Sequence, residues 1–315
     1  MKNKKCSPLS CSDGVKRYHT LAWHNQALFG KKMAKLPLSA GFTCPNRDGS
    51  KGVGGCAWCS GAGGGEFAPG AEPGLMQQLE QGKSRMGKWP NAGIIAYFQA
   101  FSNTYGPTAR VRALLDETIA LPGVEAISLA TRADCIDPPM AELLAEFARR
   151  IPLTVELGLQ TAHDRTAEAL GRGHSFAEFC TGYALLRERG VRICVHLIDG
   201  LPGESADMMR ETAREVAALS PDGIKLHMLH LLRGTALAAR YAQTPFSLLT
   251  REQYVGIVCD QLELLPESCV IERLTGDGAA ENLIAPDWTR NKRAVLNAID
   301  GELLRRDSWQ GKRIG

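Results

Sequence analysis

Six apolar, β-prone runs separated by helix-length stretches constrain this chain more than any other feature. They are KLPLSA (35–40), GIIAYFQAF (93–101), VEAISLA (124–130), LTVELGL (153–159), VRICVHLI (191–198) and GIKLHMLHL (223–231). The stretches between them carry helix punctuation. Pro107 opens one helix, and Asp137 with Pro138 and Pro139 opens another that runs to Arg150. Further helices are expected from Gly74 to Met86 and from about Glu204 to Leu219. Continuous apolar runs suit strands buried on both faces. Their regular alternation with helices predicts right-handed βαβ units on a parallel sheet. The expected fold is α/β, an incomplete (β/α)6 TIM-like barrel open on one side, because no seventh or eighth unit is evident.

At 315 residues and 44% hydrophobic content, the chain can bury one large barrel or two modest domains. Residues 1–17 are polar and broken by Pro8 and Gly14, so a mobile tail is expected there, carrying Cys6 and Cys11. Residues 18–245 form the barrel. Residues 246–315 add a small C-terminal α/β extension with a helix, the short strand CVIERL (269–274) and a last helix from Lys292 to Arg306, packed on the barrel. A formal charge of +3 does not by itself imply nucleic acid. Ten cysteines without a secretory leader suit a reducing compartment, so a cytoplasmic location is expected. No apolar run approaches the roughly 18 residues that span a bilayer.

Just after the first run lies GFTCPNRDGSKGVGGCAWCSGAGGGE (41–66), almost free of aliphatic side chains. It holds Cys44, Cys56 and Cys59, with eleven residues in the first gap and two in the second. A loop that cannot bury its own core must be held by something else, and three thiolates point to a metal centre. Glycine lets backbone approach a bulky inorganic group, and Trp58 can shield it from water. Two centres compete. Zinc takes four closed ligands, so a zinc-stabilised binding module would borrow a distant fourth. Three cysteines on a four-iron cluster instead leave one iron open. Parallel barrels place their chemistry at the C-terminal ends of the strands, where this loop falls.

CPNRDG followed by GGCAWC resembles the radical S-adenosylmethionine (SAM) enzymes, with the first cysteine gap widened. With ELGLQT (156–161), GRGH (171–174) and LTGDG (274–278), the chain resembles the YhcC-like family from about Tyr18 to Leu304. That family is related to the radical-SAM domain of the elongator catalytic subunit and to oxygen-independent coproporphyrinogen oxidase. The resemblance implies an enzyme in which Cys44, Cys56 and Cys59 hold a [4Fe–4S] cluster. Its open iron would chelate SAM, and reductive cleavage would give a 5′-deoxyadenosyl radical. The resemblance also implies an external flavodoxin- or ferredoxin-like electron donor, and it makes tRNA a candidate substrate.

The remaining candidates lie at strand ends. Gln99, Ser102, Asn103 and Thr104 follow the second run and can either cap a turn or bind an ammonium or ribose. By resemblance this segment faces the SAM amino group. Gly63–Gly64–Gly65–Glu66 matches a glycine motif by letters but precedes the helix, so it is read as packing for the cysteine loop. Glu156, Gly158 and Gln160 share one strand face. A glutamate in an apolar run needs a partner, either a ligand or a structural cation. The resemblance assigns Gln160 to the SAM ribose and Arg172 to the SAM carboxylate, for which an arginine fork is suited. His174 is read as structural. His196 stands where related oxidases carry an aspartate near the ribose. Arg132, Lys225 and His227 are candidate substrate contacts, with Asp134 and His230 nearby and Arg273, Thr275 and Asp277 arriving late in the chain.

Overall fold

Strand β1 (Met33–Leu38) enters the sheet with alternating burial, and five more strands follow, each after at least one helix: β2 (Gly93–Phe98), β3 (Val124–Thr131), β4 (Leu153–Gln160), β5 (Arg192–Asp199) and β6 (Gly223–Met228). The computed structural model describes residues 7–87, 89, 91–276 and 281–314. All six strands pair in chain order and in parallel. Every residue of β2 is buried, as expected for a strand covered on both faces.

The expected count of six is corrected to seven. After a two-residue strand β7 (Leu231–Leu232), the segment β8 (Val270–Arg273) joins the main sheet parallel to β6, with Gly223 opposite Val270 and Ile224 opposite Ile271. The short strand assigned to the extension is therefore the far edge of the barrel wall. The sheet β1-β2-β3-β4-β5-β6-β8 curls into a half-barrel. β9 (Leu283–Ala285) pairs antiparallel with β7 over the mouth.

The outer helices read as expected. Asp137 accepts from Met140 N at 2.8 Å to cap Pro138–Ala148. Ser175 and Glu178 form a reciprocal cap on Phe176–Arg187. The later helices Arg251–Leu264 and Lys292–Arg305 pack on each other, and the former also packs on Ala206–Ala218. Residues 7–17 contain no helix or strand, yet Leu9 and Arg17 are buried, and Arg17 meets Asp307 at 3.3 Å. Cys6 and Asp277 lie outside the described residues. No helix among the described residues is long and apolar enough to cross a membrane.

Candidate active site

The C-terminal ends of the strands surround a cavity of about 260 Å³, and Cys44, Cys56 and Cys59 all line it, half-buried. Their loop is built from local hydrogen bonds rather than from a core. Arg47 N donates to Cys44 O and Cys59 N to Cys56 O, each at 2.8 Å. Two side-chain N–H donors point at sulfur: the amide Nδ2 of Asn46 lies 3.4 Å from Cys56 Sγ, and the guanidinium Nη2 of Arg47 lies 3.4 Å from Cys59 Sγ. Lys51 ties the loop to the barrel through Asp134 at 2.8 Å. Trp58 lines the same cavity.

The glycine run packs as the sequence suggests. A Cβ on Gly63 would stand 2.5 Å from the Phe101 ring, and one on Gly65 would stand 2.5 Å from the Ala100 methyl. Gln99 reaches the cavity wall, with its Nε2 donating to Gly64 O at 2.8 Å. Asn103 is a correction. Its amide donates to the carbonyls of Phe98, Ala100 and Ala130 at 3.1, 3.1 and 2.9 Å, so it ties a turn and does not reach the cavity. Thr104 bonds Thr131 and Cys135 in the same way, whereas Ser102 does line the cavity.

Gln160 and Arg172 converge on Gly158 of β4. Gln160 adopts φ +79°, an uncommon conformation for a residue with a Cβ, beside a register shift between Gly158 and Gln160. A Cβ on Gly158 would stand 2.8 Å from Gln160 Nε2 and 3.3 Å from Arg172 Nη2, so a side chain there would displace one or both. Arg172 is buried and donates through Nη2 to Gly158 O. Its Nη1 lies 3.9 Å from Cys56 Sγ, and its Nε has no partner. His174 lies outside the cavity, its Nδ1 3.0 Å from Ser175 O.

Beneath the cavity is a charged floor. Glu156 is fully buried. It accepts from Lys35 at 2.7 Å, from His196 Nε2 at 2.8 Å, from Tyr97 Oη at 3.0 Å, and from Lys225 and Ser128. Burial would raise its carboxyl, but Lys225 and Lys35 outweigh that and hold it well below the usual range. Glu272 on β8 meets Lys35 at 2.8 Å and Arg192 at 2.9 Å. Burial and Lys225 push His196 down to about 4, so it is neutral, with its ring 5.6 Å from that of His227. His227 lines the cavity, and its buried Nε2 has no partner.

Three of the expected ligand contacts are thus already engaged. The two oxygens of Glu156 are shared among five protein donors. The Lys225 ammonium serves Glu156 and Tyr97 from behind the cavity wall. Arg132 lines the cavity, but its Nε and Nη2 grip Asp134 at 2.8 and 2.7 Å while Nη1 donates to Arg172 O. That grip outweighs burial and lowers the Asp134 carboxyl to about 2. His230 and Arg273 line the mouth, and Thr275 does not. Sequence reasoning missed Asn46, Arg47, Lys35, Tyr97 and Glu272. Tyr97 shares the period-two face of Gln99, and that signal was available.

A family model described as the Radical SAM superfamily matches residues 50–216, and one for a Radical_SAM C-terminal domain matches residues 221–305. The chain belongs to the radical SAM superfamily. It is 47% identical to the uncharacterized protein YtqA of Bacillus subtilis, across 97% of this chain and 95% of that protein. It is 32% identical to protein YhcC of Escherichia coli, across 91% and 92%. A tRNA uridine(34) acetyltransferase of Methanocaldococcus infernus matches 48% of this chain at 25% identity, over 28% of its own length. Among solved structures, Elp3 of the same archaeon superposes with a TM-score of 0.64 at 15% identity, over 87% of this chain and 64% of that one. Coproporphyrinogen III oxidase of Escherichia coli gives 0.50 at 17%, over 76% and 53%. Both share the fold of this radical SAM chain.

Membership implies an enzyme that takes a [4Fe–4S] cluster and SAM and cleaves the latter. The donor set fits that cluster: three thiols on one cavity, two of them facing N–H donors, beside a buried arginine with an unpartnered Nε. Among the described residues, no group of three or more His, Cys, Asp or Glu side chains is placed to hold a metal ion.

Proposed function

We propose that Cys44, Cys56 and Cys59 ligate the cluster, and that Gln160, Arg172, Gln99 and His196 line the SAM site. The observation that carries this reading is that the three cysteines, Gln160 and Arg172, whose Nε has no partner, all line one cavity at the strand ends. When bound, the cluster supplies one electron to the sulfonium of SAM, giving methionine and a 5′-deoxyadenosyl radical. Arg172 binds the carboxylate of intact SAM, and Gln160, at its positive φ, takes the ribose. His196 is kept neutral and oriented through Nε2–H donated to Glu156. This leaves Nδ1 as an acceptor toward the cavity. His227, with its unpartnered nitrogen, meets the substrate, and Arg132 keeps the Arg172 segment in place.

The substrate we propose is tRNA. Support comes from the similarity of half the chain to a tRNA uridine(34) acetyltransferase. An external one-electron reductant is required; a flavodoxin or ferredoxin would serve. Anaerobically purified protein should be brown, hold about four irons per chain, and release 5′-deoxyadenosine from SAM with dithionite. Cys56→Ala should lose both the iron and the product. Unchanged SAM cleavage by that variant would overturn the ligand assignment. The substrate reading fails if nucleosides from tRNA of cells with and without the gene are identical.

A further inference from the structure

Asn46 is buried where the cysteine loop meets the turn that carries Arg172. Its Nδ2 donates to the carbonyls of Gly171 and Arg172 at 2.8 Å each and lies 3.4 Å from Cys56 Sγ. An amide NH2 has two hydrogens, so three acceptors around it leave neither idle. The backbone closes on this side chain. Gly173, at φ +74°, sits so close that a Cβ there would overlap Asn46 Oδ1, while Gly55 N donates to the main-chain carbonyl of Asn46 at 2.8 Å. The Arg172 carbonyl also accepts from Arg132 Nη1 at 2.7 Å. The arginine backbone is thus held from two sides while its side chain reaches Gly158 and Cys56.

We infer that Asn46 is a positioning residue that couples the cysteine loop to Arg172, so that SAM affinity and the electronic state of the centre at Cys56 depend on one amide. The inference rests on the reading of Cys56 as a cluster ligand and Arg172 as the carboxylate partner. An N–H directed at a thiolate favours the electron-rich state and so raises the reduction potential. Arg47 provides the contrast, because it points at Cys59 Sγ and donates to Ser60 O within the loop itself.

The test uses the full chain, reconstituted anaerobically, as wild type, Asn46→Ala, Gly173→Ala, Arg47→Ala and Arg172→Ala. Iron per chain, SAM affinity by calorimetry and the midpoint potential by EPR-monitored titration are measured on each. Asn46→Ala and Gly173→Ala should keep their iron and bind SAM about 10- to 100-fold more weakly, the usual consequence of removing a group that orients a ligand. Asn46→Ala should also have a lower midpoint. Arg47→Ala should lower the midpoint and weaken SAM binding less than Asn46→Ala does. If Arg172→Ala loses SAM affinity while Asn46→Ala and Gly173→Ala keep it, the coupling is refuted and the arginine reading stands. If Arg172→Ala binds SAM normally, the arginine reading falls and the coupling with it. Should Asn46→Ala fail to hold iron, Gly173→Ala decides, because it leaves every donor of the loop in place. A wild-type midpoint in iron-replete Asn46→Ala also overturns the inference.

Discussion

Replacing Asp199 by asparagine should stabilise this protein near neutral pH. Asp199 ends β5, fully buried, and its Oδ1 accepts from Gln261 Nε2 at 2.7 Å. Its Oδ2 and the Gln261 Oε1 both lack a partner. Two buried acceptors side by side are costly, and a proton on Oδ2 is the one change that satisfies both, closing a paired acid–amide ring. Burial raises this carboxyl from 3.8 to about 7, the Gln261 hydrogen bond opposes the rise, and Glu204 adds to it. The folded chain therefore holds a proton that the unfolded chain releases near pH 4. Between about pH 4 and 7 the unfolded state binds fewer protons, so stability falls as pH rises through that window and is level above it. The gap corresponds to about 4 kcal/mol. Asparagine has the same shape, donates to Gln261 Oε1 at every pH and does not titrate. Asp199→Asn should match the wild type near pH 4 and exceed it by up to about 4 kcal/mol above pH 7. Urea unfolding at a series of pH values measures the difference. A variant whose advantage does not grow with pH, or which is less stable at pH 8, would refute the assignment of a buried proton.

Two further substitutions test packing and charge. Glu156→Gln removes the carboxylate that neutralises Lys225 and Lys35 and should cost about 3–5 kcal/mol in urea unfolding; adding Lys225→Met should recover part of that loss, because Lys35 keeps Glu272. Gly182→Ala would drive a methyl into the Ala133 carbonyl, where helix Phe176–Arg187 crosses the turn after β3, so a loss of about 1–3 kcal/mol is expected and an unchanged midpoint would refute the close approach.

The half-barrel was legible because strands buried on both faces read as unbroken apolar runs. The seventh strand read as a strand but not as part of the wall, because two of its four residues, Glu272 and Arg273, are charged. Glu272 makes sense inside a barrel only once Lys35 from the opposite edge and Arg192 from β5 are known to meet it, and no local pattern announces a pairing over such separations. That Cys44, Cys56 and Cys59 would share one cavity could be expected from their loop, which is glycine-rich and follows the first strand. Asn103 shows the limit of strand-end reasoning. Its position fits a ligand contact, but three carbonyls converge on its amide, and that convergence depends on a turn the sequence does not display.

The charged floor also bears on what the interior can accept. Lys35 and Glu272 sit on the two edge strands, β1 and β8, which share no ladder hydrogen bonds. Their ion pair ties the open side of the curl below the cavity, where an apolar contact would also have sufficed to fill space. Buried pairs of this kind add little net stability compared with apolar packing, so holding the edges together does not account for their chemistry. Lys35 also donates to Glu156, the carboxylate that gathers Tyr97, His196 and Ser128 through their own hydrogen bonds. The floor therefore presents a preset hydrogen-bonding pattern rather than a greasy socket. A substrate group entering beside His196 and His227 must match that pattern with polar atoms of its own, because leaving those nitrogens dry and unpaired would cost about 1–3 kcal/mol each.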